Sequence, residues 1–168
     1  GKERKPSLEM SRRLTKHSAI ETEPVLSPDG KKLAYISDRT GRPQVYIMDL
    51  STKKVSRLSK KGSYNTSPSW SPDSSMVAFT SSRKGSRTAI YRARVDSSLS
   101  SERQVSPKGM AAESPTWSPD GSMVAFQGWH RGDWKIFYVL SSGSSAERLT
   151  NSKQGIVETG PSWSSKLR

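Results

Sequence analysis

The 168-residue chain has no cysteine, only two histidines and no apolar run long enough to cross a bilayer. Without cysteine there are no disulfides, no thiol catalysis and no zinc sites built on Cys. That is compatible with an oxidising compartment but does not establish one. His17 and His130 stand far apart in the chain, so a His-based metal cluster is not expected. A bilayer span needs roughly 18 or more consecutive apolar residues. Neither such a run nor the apolar segment of a signal peptide follows Gly1-Lys2-Glu3-Arg4-Lys5-Pro6, so the chain reads as soluble, without direct membrane insertion. It does not begin with Met, which reads as a processed or trimmed product. Paired carboxylates, a nucleophile beside a base, and a Gly-x-Ser-x-Gly elbow are all missing, so no enzymatic activity and no cofactor are expected.

The chain has 28 Lys and Arg against 15 Asp and Glu, a net charge of +13. The excess is spread in small increments up to Lys108 and nearly vanishes beyond it. No block of five or six like charges occurs. The basic residues are read as solvated strand faces and protected strand edges. A nucleic-acid groove would want aromatics interleaved with the cations, and no nucleic-acid partner is expected.

Internal repetition decides the fold. Ser-Pro-Asp occurs at Ser27-Pro28-Asp29, Ser71-Pro72-Asp73 and Ser118-Pro119-Asp120, with a degenerate copy at Ser164-Ser165, giving steps of 44, 47 and 46 residues. Each copy follows a proline and a bulky apolar residue: Pro24 with Leu26, Pro68 with Trp70, Pro115 with Trp117, Pro161 with Trp163. Each full copy continues into a short apolar strand (Leu33–Ile36, Met76–Phe79, Met123–Phe126) and then a Gly-bearing turn. A third strand follows (Val45–Met48, Ala89–Arg92, Ile136–Val139), and a fourth ends near Ser59, Ser106 and Thr150. Four short strands per repeat of about 45 residues is the signature of a β-propeller blade. In the Pro-Asp-Gly turn, Pro fixes φ, Asp bonds its own backbone and Gly takes the conformation other residues resist. The tryptophans are read as packing between neighbouring blades.

The fold class is therefore all-β, a partial ring of three complete four-stranded antiparallel blades with flanking strands. Residues 1–7 form a tail and 8–15 read as the last strand of a preceding blade. Residues 17–59, 61–106 and 108–150 form the blades, and 155–164 the inner strand of a following one. Three blades fall short of the four that close the smallest ring, so either sequence is missing upstream or two copies associate through open blade edges. Ser97-Ser98-Leu99-Ser100-Ser101 and 141–145 read as outer hairpin loops. Trp129 and Trp134 flank the turn His130–Asp133, as a hairpin clasp or a partner contact.

Pro-x-Trp-Ser-Pro-Asp-Gly-x-x-Val-Ala-Phe, then Ile-Tyr and Arg-Leu-Thr, resembles the propeller repeats of the TolB family. Glu23-Pro24, Ser27–Gly30, Asp38 and Thr40–Tyr46 are especially similar, and the resemblance covers residues 8–164. It implies a periplasmic six-bladed propeller that follows a small α/β domain and closes on a Pro-x-Trp-Ser strand like Pro161–Ser164. It also implies a non-catalytic scaffold of the Tol-Pal system. Such a scaffold binds the peptidoglycan-associated lipoprotein Pal at one mouth and supports outer-membrane integrity and cell division. Similar repeats also occur in the gating propeller of prolyl-oligopeptidase-like peptidases and in solute-binding propellers. In a propeller, the loop entering each innermost strand reaches the channel rim. Those residues are Thr22 and Glu23; Asn65, Thr66 and Ser67; Ala112, Glu113 and Ser114; Glu158 and Thr159. They either meet a protein partner, as at the Pal-binding mouth the resemblance implies, or only hydrogen-bond the strand starts.

Overall fold

The chain is seen in a computed structural model that describes residues 13–96, 101–143 and 145–164. It folds into three four-stranded sheets, each a simple meander. The first contains β1 (Glu21–Leu26), β2 (Lys32–Ser37), β3 (Gln44–Asp49) and β4 (Val55–Arg57). The second contains β5 (Tyr64–Trp70), β6 (Met76–Ser82), β7 (Ala89–Arg94) and β8 (Arg103–Gln104). The third contains β9 (Ala112–Trp117), β10 (Met123–His130), β11 (Asp133–Leu140) and β12 (Glu147–Arg148). All pairings are antiparallel, and among the described residues no helix is long and apolar enough to cross a membrane.

The second strand of each blade is apolar at successive positions, Val77-Ala78-Phe79 and Val124-Ala125-Phe126, because both faces of the sheet are covered. Ala34, Ile36, Val45 and Ile47 meet Trp70, Val77, Phe79 and Tyr91 between the first and second blades. Ala78, Ile90 and Val105 meet Trp117, Val124, Phe126 and Phe137 between the second and third. Phe79 and Phe126 are wholly buried, each worth about 1.5–3 kcal/mol of transfer free energy. A smaller cluster, Tyr35, Tyr46 and Met48, lies on the other face of the first blade. Inner strand β5 lies against both β1 and β9, so the three line one axis.

The Ser-Pro-Asp turn has the same wiring three times. Ser27, Ser71 and Ser118 each donate their hydroxyl to the Asp two residues on at 2.6 Å. Each hydroxyl also accepts the N–H that opens the next strand, at 2.9 Å. Gly30 and Gly121 take φ of 70° and 73°, and Ser74 is held at 60° in the second copy. These bonds hold the Asp29 and Asp73 carboxyls below the usual range. Asp120 is lowered to about 2, chiefly by Ser118 and then by Ser122.

Trp129 and Trp134 lie in paired strands that run up to a two-residue turn, Arg131 and Gly132, both left-handed. Their rings meet edge to face at 5.5 Å, a cross-strand clasp. Residues 8–12 of the expected preceding strand, and 97–100 and 144 of the serine loops, lie outside the described residues; Arg13–Thr15 carry no strand pairing.

Candidate functional site

Each inner strand contains a bulge at its proline. Pairing to the second strand skips between Thr22 and Val25, between Thr66 and Ser69, and where β9 passes Ala125 to Gln127. The residue before each proline is left-handed: Glu23 at φ 51°, Ser67 at 53°, Ser114 at 54°, and Gly160 at 64° in the fourth copy. For non-glycine residues this conformation costs roughly 1–3 kcal/mol each, and the surroundings hold it in place.

They do so by tying each inner strand to the blade before it. The N–H of Ser67 donates to Glu23 Oε2 at 2.6 Å, that of Ser114 to Thr80 Oγ1 at 3.1 Å, and that of Gly160 to Gln127 Oε1 at 3.3 Å. Thr80 and Gln127 occupy the same register position in β6 and β10, where β2 has Ile36. Ile36 has no acceptor, and the carboxylate of Glu23 supplies one.

Two further ties recur. Asn65, Ala112 and Glu158 donate their N–H to the carbonyls of Pro43, Thr88 and Trp134, each at 3.0 Å. The indoles of Trp70, Trp117 and Trp163 donate to the carbonyls of Val25, Ser69 and Thr116 at 2.9, 3.1 and 3.2 Å. Residues 156–163 make all three ties to the third blade, although they have no strand partner among the described residues.

The bulge thus gathers the predicted rim residues at the starts of the inner strands, though unequally. Thr22, Glu23 and Thr159 are exposed, while Thr66, Ser67, Glu113, Ser114 and Glu158 are half-buried. Asn65 and Ala112 are fully buried at 0% exposure and are withdrawn from any surface, because the N–H tie draws them under the linker. The Asn65 side chain donates to Gln44 Oε1 at 2.7 Å and to Lys61 O at 3.0 Å. Glu113 accepts from Thr88 Oγ1 at 3.1 Å and Gln127 Nε2 at 3.4 Å. Glu158 accepts from Thr150 Oγ1, and that bond first, then Ser152, Lys135 and Arg148, pulls its carboxyl below the usual range.

Among the described residues no group of three or more His, Cys, Asp or Glu side chains could hold a metal ion. Sequence reasoning did not reveal the left-handed backbone here, because a residue before proline ordinarily favours extended backbone. It also missed Gln44, Thr80 and Gln127 as the groups that hold the rim.

Comparison with known proteins follows the same repeat. The family described as TolB beta propeller domain matches residues 7–167. A TolB homolog from Chlorobium luteolum is 46% identical over 48 residues, covering 29% of this chain and 11% of that protein. A Tol-Pal system protein TolB from Bordetella pertussis is 49% identical over 35 residues, covering 21% of this chain and 8% of that protein. These matches thus span about a tenth of the relatives' own length. The crystal structure of TolB from Acinetobacter baumannii superposes with a TM-score of 0.72 at 28% identity, over 87% of this chain and 35% of that one. Structures of prolyl endopeptidases, at 16% identity and a TM-score of 0.62, share the fold alone. With the family match running through all three blades, this chain belongs to the TolB beta propeller domain family.

Proposed function

We propose that the chain is a non-catalytic, protein-binding scaffold of the Tol-Pal cell-envelope system, working in the periplasm. Its partner is a Pal-like peptidoglycan-associated lipoprotein, and through it the chain supports outer-membrane integrity and cell division alongside other Tol proteins. The observation that carries this reading is the row of left-handed residues before proline, Glu23, Ser67, Ser114 and Gly160. Strained backbone persists where surrounding structure holds it, and it clusters at sites of recognition. On this reading Thr22, Glu23, Thr66, Glu113 and Thr159 form the contact rim. The Tol-Pal name of the Bordetella relative supports the choice of system.

The test is calorimetric titration of a Pal-type lipoprotein onto the propeller carrying Thr66→Arg with Glu113→Arg, and separately Thr22→Arg. Partner binding is expected to weaken by about tenfold or more while the thermal midpoint stays close to the parent's. Unaltered affinity in both variants places the interface elsewhere. Self-association through the open ends belongs to the same proposal. Leu149, Ile156 and Val157 are exposed beside the third blade and are the apolar groups such an association would cover. Sedimentation of a strictly monomeric species at high concentration rejects it.

A further inference from the structure

One position of the third strand meets the linker to the next blade in every repeat, and it is filled differently each time. Gln44, Ala89 and Lys135 are register equivalents, paired with Ser37, Ser81 and Gly128. In the first blade, buried Gln44 accepts at Oε1 from Arg57 and Ser59, each at 2.8 Å, and from Asn65 at 2.7 Å. In the third, buried Lys135 donates from Nζ to Ser152 Oγ at 2.7 Å, Lys153 O at 3.2 Å and Ile156 O. Both side chains reach across beneath the linker, and in the third blade a smaller cavity of about 160 Å³ is left beside Lys135.

Ala89 cannot. The linker carbonyls of Ser106 and Pro107 are met instead by Gln104 Nε2, at 3.0 and 3.5 Å. A cavity of about 410 Å³ remains, walled by Gly85, Arg87, Ala89, Tyr91, Lys108 and Gly109. No carboxylate lines it. Arg87 and Lys108 are exposed, and among the described residues neither side chain has an ion pair or hydrogen bond. Two spare cations over an unfilled polar groove suit an anion, and an arginine fork fits a carboxylate in particular.

We propose that this groove receives a carboxylate side chain from an acidic segment of a protein partner. The partner's group takes the place that Gln44 and Lys135 occupy in the neighbouring blades. The proposal rests on the reading of the chain as a protein-binding scaffold and adds to it a second contact, beside the rim, with a defined chemistry.

The test is an amide NMR titration of the chain with N-acetyl-Glu-Glu-Glu-amide, its Gln counterpart and inorganic phosphate. The acidic peptide is expected to shift the resonances of residues 85–87 and 108–110 at low salt, with affinity that falls as salt rises. The Gln peptide should bind about tenfold more weakly or worse. Ala89→Gln, which copies the first blade, should abolish those shifts. Arg87→Gln with Lys108→Gln, both on exposed residues, should weaken binding by about tenfold without touching the core. Undiminished binding in the double variant, phosphate binding as tight as the peptide's, or equal shifts at Lys53, Lys54 and Arg94 overturn the proposal. The probe is a synthetic peptide, so its failure rejects the groove alone, while the lipoprotein titration at the rim decides the scaffold reading.

Discussion

The junction between the first and second blades and the junction between the second and third share the same three kinds of tie, with Glu23 standing in for Thr80 at the first, yet their linkers are treated differently. Over the first junction the chain is gripped from several sides. Lys61 O accepts from Asn65, and the N–H groups of Lys60 and Lys61 both donate to Glu102. The Glu102 side chain is fully buried and paired with Arg83, whose guanidinium lies 3.5 Å from the Tyr91 ring centre. Over the second junction Lys108 and Gly109, exposed as Lys60 and Lys61 are, have no such grip: among the described residues only the Gln104 side chain reaches the preceding carbonyls. The difference separates two jobs. Inner-strand hydrogen bonds and tryptophans dock one blade on the next, and the side chains under the linker decide whether that mouth is sealed or open.

The largest effects should show that the docking is equivalent at both junctions. Trp70 and Trp117 are 6% and 7% exposed and make the same indole tie. Trp70→Ala and Trp117→Ala are each expected to lower unfolding free energy by about 3–5 kcal/mol in urea titrations. Values differing by more than about 2 kcal/mol would break the equivalence, since the contact environments match.

Next come the linkers, where the junctions should part. Gly62 and Gly109 are both left-handed, at φ 84° and 81°. A Cβ on Gly62 would stand 2.7 Å from Ser81 Oγ, 3.0 Å from Ser82 O and 3.1 Å from Asn65 Oδ1, whereas one on Gly109 would meet nothing within 4 Å. Gly62→Ala is expected to destabilise by about 3 kcal/mol, combining backbone strain with overpacking. Gly109→Ala should cost about 1 kcal/mol, from strain alone. Equal losses in chemical denaturation would mean that the first linker is no tighter than the second.

The smallest effect concerns the opposite mouth, where the blades are alike. The folded-state carboxyls of Asp73 and Asp120 lie below the ordinary Asp value of 3.8, Asp120 at about 2. A depressed pKa gives stability that is present above the unfolded value and is lost as pH falls through the folded one. Unfolding free energy should therefore decline as pH drops from about 4 towards 2. Asp73→Asn and Asp120→Asn should flatten that decline to a similar, small degree. An acid limb unchanged in both variants would show that the turn bonds do not persist in solution.

Much of this architecture is legible in the repeats. Ser-Pro-Asp, the apolar second strand and the tryptophans declare themselves through local chemistry: a turn, a doubly covered strand, a flat donor. What was not legible depends on partners 22 to 44 residues away. Nothing at Asn65 or Ala112 announces burial, because the carbonyls that draw them in belong to Pro43 and Thr88. The role of Glu23 follows from the lack of an acceptor at Ile36, visible only once β1 and β2 are in register. The open groove is likewise a matter of what Ala89 fails to do at a position where its equivalents reach across. The fourth strands are short, two or three residues each, and are set by pairing to the third strand more than by their own composition.

The indole ties also have a direction in time. Trp70, Trp117 and Trp163 bond carbonyls 45, 48 and 47 residues earlier in the chain, never later. During synthesis, therefore, the acceptor for each of these tryptophans is made before its donor. A newly made blade need only fold its own meander and settle on a surface already waiting, and the entropy of closing so short a loop is nearly the same at each step. A chain wired this way can assemble in the order in which it is translated, one repeat behind the next.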